Sequence, residues 1–365
     1  MIYLDNGATS LHKPPEVAQA VIRALRRCAN PGRGGHKWAM EAAQTVYSCR
    51  ELASQMFACQ PEQVVFTANC THGLNIAINA LVRPGDRVLI TGFEHNAVTR
   101  PLFARNVQTV VAGRKLFDRA DTLQQWEDAL KKGVHAAVMT HCSNVFGYIL
   151  PVEEMAALCR QYQVPFIVDG AQSAGVLPID FQALGADFIA MPGHKGLLGP
   201  QGTGLLLCAS DTPALMQGGT GTDSVSQQMP RQLPEALEAG TLNVPGIAGL
   251  GAALSYLHRT GTEQILRREQ MVARQCVYGL QKLGFPVFSG PDQTGTVSFL
   301  PHGDCEDTAA MLDRQAIAVR AGLHCAPLAH ESAGTLQTGT VRVSFGHDAT
   351  PAQAQRLLYA LRQTH

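Results

Sequence analysis

Two side chains able to do chemistry fall at the ends of consecutive apolar runs. Asp169 closes Phe166-Ile167-Val168, and Lys195 lies in Pro192-Gly193-His194-Lys195-Gly196, just past the next run. In open α/β sheets, ligands bind beyond the carboxyl ends of the strands. One short crossover separates the two runs, so the carboxylate and the amine are expected to face one crevice. An amine can condense with an aldehyde, and a carboxylate can keep a pyridine nitrogen protonated. Together these are what pyridoxal 5′-phosphate (PLP) requires of a protein, so that its ring can accept the electron pair left when a bond at Cα breaks.

Other residues point to the same crevice. Asn69-Cys70-Thr71-His72-Gly73 follows an apolar run and opens a helical pattern. Backbone N–H groups and the Thr71 hydroxyl there can cradle a phosphate, although Thr also serves as a helix cap. Glu94-His95-Asn96 brings an imidazole to the end of another run. Asn144 is placed either to hydrogen-bond the cofactor's ring oxygen or to shape a turn.

These groups need a scaffold, and the apolar pattern supplies one. Continuous apolar runs at 63–67, 87–91, 136–140, 165–169, 187–191 and 204–207 read as strands covered on both faces. Helical patterns lie between most of them, for example at 71–81 and 152–162, which predicts a mostly parallel α/β sheet. A long helical stretch at 252–283 then leads into strands at 296–300 and 340–345 and helices at 304–315 and 351–362. The expectation is a large domain over 14–251 and a smaller α+β domain over 252–365, joined by the N-terminal segment 1–13.

Composition narrows the function classes. Lys plus Arg equals Asp plus Glu at 29 each, so the net charge of zero offers no field for nucleic acid. No apolar stretch approaches membrane-spanning length, and the N-terminal residues do not resemble a secretion signal, so a cytoplasmic address is expected. Ten cysteines without a C-x-x-C pair argue against structural zinc, and no metal is expected. The glycines of 192–204 form no G-x-x-x-x-G-K-[ST] phosphate loop.

The chain resembles the class V aminotransferase family of fold-type I PLP enzymes and, within it, the group II cysteine desulfurases, which include selenocysteine lyase-like proteins. The matching segments are Tyr3-Leu4-Asp5-Asn6-Gly7-Ala8, Glu94-His95-Asn96, Ser143-Asn144-Val145-Phe146-Gly147, Val168-Asp169-Gly170-Ala171-Gln172, Gly193-His194-Lys195, Glu238-Ala239-Gly240-Thr241, Arg320-Ala321-Gly322-Leu323-His324-Cys325-Ala326 and Val341-Arg342-Val343-Ser344-Phe345. They keep the family order and span nearly the whole chain.

The resemblance implies a role for each matched residue. Lys195 is the Schiff-base lysine and Asp169 the partner of the pyridine nitrogen. His95 stacks on the ring and handles the substrate's thiol proton. Gln172 and Asn144 contact the phenolic oxygen, and Cys70, Thr71 and His194 hold the phosphate. Thr241 joins them from the second subunit of a homodimer. Arg342 binds the carboxylate of a small amino-acid substrate, a bidentate task. Cys325 accepts the sulfur of L-cysteine as a persulfide, releasing L-alanine, with Arg320 and His324 favouring its thiolate. A sulfur-acceptor protein or a reductant then takes the sulfur. Selenocysteine lyase, cysteine-sulfinate desulfinase and amino transfer from another amino acid are the alternatives; the first two depend less on Cys325. Pro192 departs from the family, standing where a phosphate-binding Ser or Thr is usual, and Cys70 and His72 replace commoner residues.

Overall fold

A computed structural model describes residues 1–32, 34–222 and 225–363. Seven strands form the main sheet: β2 (Val64–Thr67), β3 (Arg87–Thr91), β4 (Gln108–Ala112), β5 (Ala136–Thr140), β6 (Phe166–Asp169), β7 (Phe188–Pro192) and β8 (Gly204–Cys208), in the order β2-β8-β7-β6-β5-β3-β4. Neighbours run parallel except at β8, which is antiparallel to both β2 and β7. Successive side chains point to opposite faces, as strand geometry demands. Val88, Ile90 and Val138 meet Leu74, Ile78 and Leu102 on one face. On the other, Leu89, Ala137 and Met139 meet Phe57, Trp126 and Met155. Burial on both faces explains why these strands read as unbroken apolar runs.

The helices of this unit are α1 (Pro15–Arg27), α2 (Lys37–Phe57), α3 (Cys70–Leu81), α4 (Asn96–Ala104), α5 (Arg119–Lys131), α6 (Val152–Gln161), α7 (Phe181–Leu184) and α8 (Val244–Thr260). The sequence reading omitted β4. It is an edge strand whose Gln108 and Thr109 are exposed, so it carries no continuous apolar run.

The expected helical stretch 252–283 is in fact two helices, α8 and α9 (Thr262–Lys282), broken at Gly261 with φ +81°. The former begins at Val244, packs against α1 and α2, and buries Ile247, Leu250 and Leu254 in the core of the main sheet. The expected division between 251 and 252 therefore falls inside a helix. Apolar periodicity runs through both helices and does not register one left-handed glycine.

Beyond Gly261 lies a four-stranded antiparallel sheet in the order β12-β13-β10-β9, made of β9 (Val287–Phe288), β10 (Thr296–Phe299), β12 (Arg320–Gly322) and β13 (Thr340–Ser344). Leu280, Leu312 and Leu357, from α9, α10 (Cys305–Arg314) and α12 (Pro351–Arg362), cover Val297, Phe299, Val341 and Val343. The N-terminal β1 (Ile2–Tyr3) pairs in parallel with β11 (Ile317–Ala318) and places Leu4 in the same core. A short helix, α11 (Pro327–Ala333), follows the Cys325 turn. Among the described residues, no helix is long and apolar enough to cross a membrane.

Candidate active site

The carboxyl ends of β2, β3, β5, β6 and β7 converge on one cavity. Asp169 and Lys195 both line it, because β6 and β7 are parallel neighbours with Asp169 opposite Ala190. Burial lowers the pKa of the Lys195 amine, while the Asp169 charge acts in the opposite sense. An amine eased toward its neutral form is the nucleophile an aldehyde requires.

Asp169 is 1% exposed. Its Oδ1 accepts from Ala171 N (2.9 Å) and Cys70 Sγ (3.3 Å). Among the described residues nothing hydrogen-bonds Oδ2. A buried carboxylate oxygen on a cavity wall calls for a donor, and a protonated pyridine nitrogen is one. The donor set thus fits PLP.

Helix α3 starts at this cavity. Its cap is Asn69, whose side chain accepts from His72 N at 2.9 Å, so Thr71 is not the cap. The first-turn N–H groups of Cys70 and Thr71 have no intrahelical acceptor, and Thr71 lines the cavity. That is the geometry of an anion cradle. Cys70 differs from expectation: its thiol donates to Asp169 rather than standing free for a phosphate.

His194 also lines the cavity, its Nδ1 2.9 Å from Thr9 Oγ1. Burial, helped by the charges of Lys195 and Lys13, takes its pKa down to about 4. It can offer a phosphate an N–H but no positive charge.

His95 caps α4, and its Nδ1 accepts from Ala97 N at 3.0 Å. Its proton therefore sits on Nε2, and burial lowers its pKa. In this orientation the ring's remaining nitrogen is a donor.

Asn144 and Gln172 line the same cavity, each with one amide bond already made: Asn144 Nδ2 donates to His324 O (2.8 Å), and Gln172 Nε2 to Gly7 O (2.9 Å). Arg342, 2% exposed on β13, donates from Nη1 to Asn144 O (2.9 Å) and pairs through Nη2 with Asp5 Oδ1 (2.5 Å). Its Nε is buried without a partner among the described residues.

Among the described residues Cys325 is the one exposed cysteine. His324 and Cys325 both take left-handed backbone angles, φ +52° and +57°. Asn144 holds the first carbonyl and Asn96 N the second, at 2.8 Å each. Two clamped carbonyls give the thiol a defined place. His324 does not support a thiolate as expected. It is buried, stacked parallel to His330 at 5.7 Å, and burial lowers its pKa to about 3, so it is neutral. Arg320 remains as the exposed cation of that motif.

Thr241 lies exposed on the wall of another cavity, with Arg50 and Glu238, and does not reach Lys195 of its own chain.

Sequence reasoning assigned no role to Asp5 or Glu94. Asp5 gains its role through a bridge to Ser344 that brings it to Arg342. Glu94 is fully buried and accepts from Thr91 Oγ1 (2.6 Å) and Thr140 N (3.0 Å), tying β3 to β5; burial raises its pKa to about 8. A buried acid directly before His95 was the available signal.

The class V aminotransferase family model matches residues 2–357. A protein of Methanothermobacter thermautotrophicus named "Probable cysteine desulfurase" is 32% identical over 98% of this chain and 92% of its own. The apo structure of cysteine desulfurase from Thermococcus onnurineus NA1 superposes with a TM-score of 0.93 at 31% identity, covering 100% of this chain and 94% of that one. The cysteine desulfurase CsdA from Escherichia coli gives 0.88 at 27% identity, with coverage of 99% and 94%. Fold, strand-end chemistry and these similarities agree: the chain belongs to the class V aminotransferase family.

Proposed function

We propose that this chain is a PLP-dependent cysteine desulfurase that takes sulfur from L-cysteine onto Cys325 and releases L-alanine. The observation that carries this reading is the exposed thiol on a clamped turn, joined through Asn144 to the cavity of Lys195 and Asp169. When bound, PLP supplies an aldehyde and a ring that takes up the electron pair of a bond broken at Cα.

Lys195 Nζ would hold the aldehyde and would accept the Cα proton. Asp169 Oδ2 would hold the proton of the ring nitrogen. The first-turn N–H groups of α3, with Thr71 and His194, would bind the phosphate, and Thr241 of a second copy completes that shell in a homodimer. Arg342 would fix the substrate carboxylate. Cys325 Sγ then bonds to the substrate sulfur as the substrate's Cβ–S bond breaks. That bond's electron pair stays with the three-carbon fragment, which is protonated and leaves as alanine. The persulfide remains at the surface, open to a reductant or a sulfur-acceptor protein.

The test is to supply L-cysteine to PLP-loaded enzyme, measure alanine, and locate the added sulfur by peptide mass. Wild type should form alanine and carry one extra sulfur on Cys325. Alanine formation by Cys325→Ala at the wild-type rate defeats the reading.

A further inference from the structure

The Asp169 carboxylate takes two donors on one oxygen and none on the other. Ala171 N (2.9 Å) and Cys70 Sγ (3.3 Å) both reach Oδ1. Cys70 can do so because α3 lies close on β7: a Cβ on Gly73 would stand 3.1 Å from the Ala190 methyl. That approach carries the first residue of α3 to the end of β6. We propose that Cys70 is a positioning residue, whose thiol locks the Asp169 carboxylate so that Oδ2 faces the nitrogen of the cofactor ring. The inference rests on the PLP reading above and concerns this chain's own residues.

Three features support a donor role over simple packing. The thiol is 7% exposed, with its one proton committed to Asp169. Burial, and then the Asp169 charge, push its pKa well above the ordinary thiol range, so the proton stays on sulfur. A second donor on Oδ1 also restrains rotation of the carboxylate, which Ala171 N alone does not, since a single hydrogen bond is a pivot. Loss of the thiol proton would leave Oδ2 free to swing from the ring nitrogen. A ring nitrogen less firmly protonated withdraws less charge, and the imine at Lys195 then keeps its proton to higher pH.

The experiment compares PLP-loaded wild type with Cys70→Val, which fills the space without a donor, and Cys70→Ala, which empties it. The readouts are the pH titration of the bound cofactor's visible absorbance, cofactor retention on dilution, and kcat and KM for alanine formation. Both variants should move the titration midpoint upward, by about half a unit to one unit, and lower kcat ~3–10-fold with KM changed less than about twofold, the scale of one ordinary hydrogen bond. A Cys70→Val enzyme whose midpoint and kcat match wild type overturns the proposal and leaves Cys70 a packing residue. Weakened cofactor retention with an unmoved midpoint also overturns it, assigning Cys70 to the phosphate instead. Wild type that takes up no PLP and stays colourless sinks the functional reading itself, a result distinct from either.

Discussion

At the scale of single residues, the site separates groups that can carry charge from groups that only orient. His95, His194 and His324 are all shifted down by burial, while Lys195 lines the cavity and Arg342 lies buried against Asp5 and Asn144. Arg342 has its two terminal nitrogens committed, to Asp5 and to Asn144 O, with Nε left over. Lysine lacks the planar fork that makes these contacts. Arg342→Lys is therefore expected to raise KM for cysteine by roughly 30-fold or more, about the 2 kcal/mol typical of breaking a buried charged contact. An unchanged KM in steady-state kinetics removes Arg342 from substrate binding. For Cys325, Cys325→Ser should lose at least ~100-fold in alanine release while keeping the wild-type cofactor absorbance, since the hydroxyl is a poor partner for sulfur. Loss of absorbance as well would place Cys325 in cofactor binding instead.

Elements position these residues through close approaches. Gly175 has φ +82°, and a Cβ there would lie 2.2 Å from Gly196 O, in the loop that carries Lys195. Gly175→Ala should displace that loop, costing about 1–3 kcal/mol of stability and weakening PLP retention. Thermal melts and dialysis against buffer measure both, and a variant that keeps both at wild-type levels shows the turn to be tolerant.

Helix α9 supplies a different test. Its Glu269 is buried, and desolvation, aided by Asp348, raises its pKa from 4.5 to about 8. The folded chain holds this proton more tightly than the unfolded one. The resulting contribution is complete below about pH 4.5 and fades as pH rises toward 8. Glu269→Gln, neutral throughout, should gain stability relative to wild type by a few kcal/mol between pH 5 and pH 8. Urea melts across that range check the sign; a flat difference shows that Glu269 does not titrate there.

For the whole molecule, Arg342 on β13 of the smaller sheet is joined to Asn144, in the loop after β5 that lines the Lys195 cavity. One residue of the proposed phosphate shell, Thr241, lies outside the cavity of its own chain. A homodimer that brings the partner's loop to the cleft would resolve this. Light scattering should find two chains per particle, and Thr241→Ala should weaken PLP retention about tenfold, as for one bond to a charged phosphate. A monomeric enzyme, or wild-type retention in the variant, excludes the shared site.

The sequence alone determined what depends on local pattern. Unbroken apolar runs located β2, β3 and β5 to β8, because strands buried on both faces must be apolar along their length, and Asp169 and Lys195 stood at the run ends where a parallel sheet collects its ligands. Edge strand β4 escaped because half of it faces water, and the break at Gly261 because one backbone angle leaves no mark on periodicity. Only the tertiary structure decided the pairings: Cys70 with Asp169 across 99 residues, Arg342 with Asp5 across 337, and the neutral state of His324 beside His330. The reason is physical. Burial follows from local composition, whereas a hydrogen-bond partner and a shifted pKa depend on which distant segment the packing brings within about 3 Å.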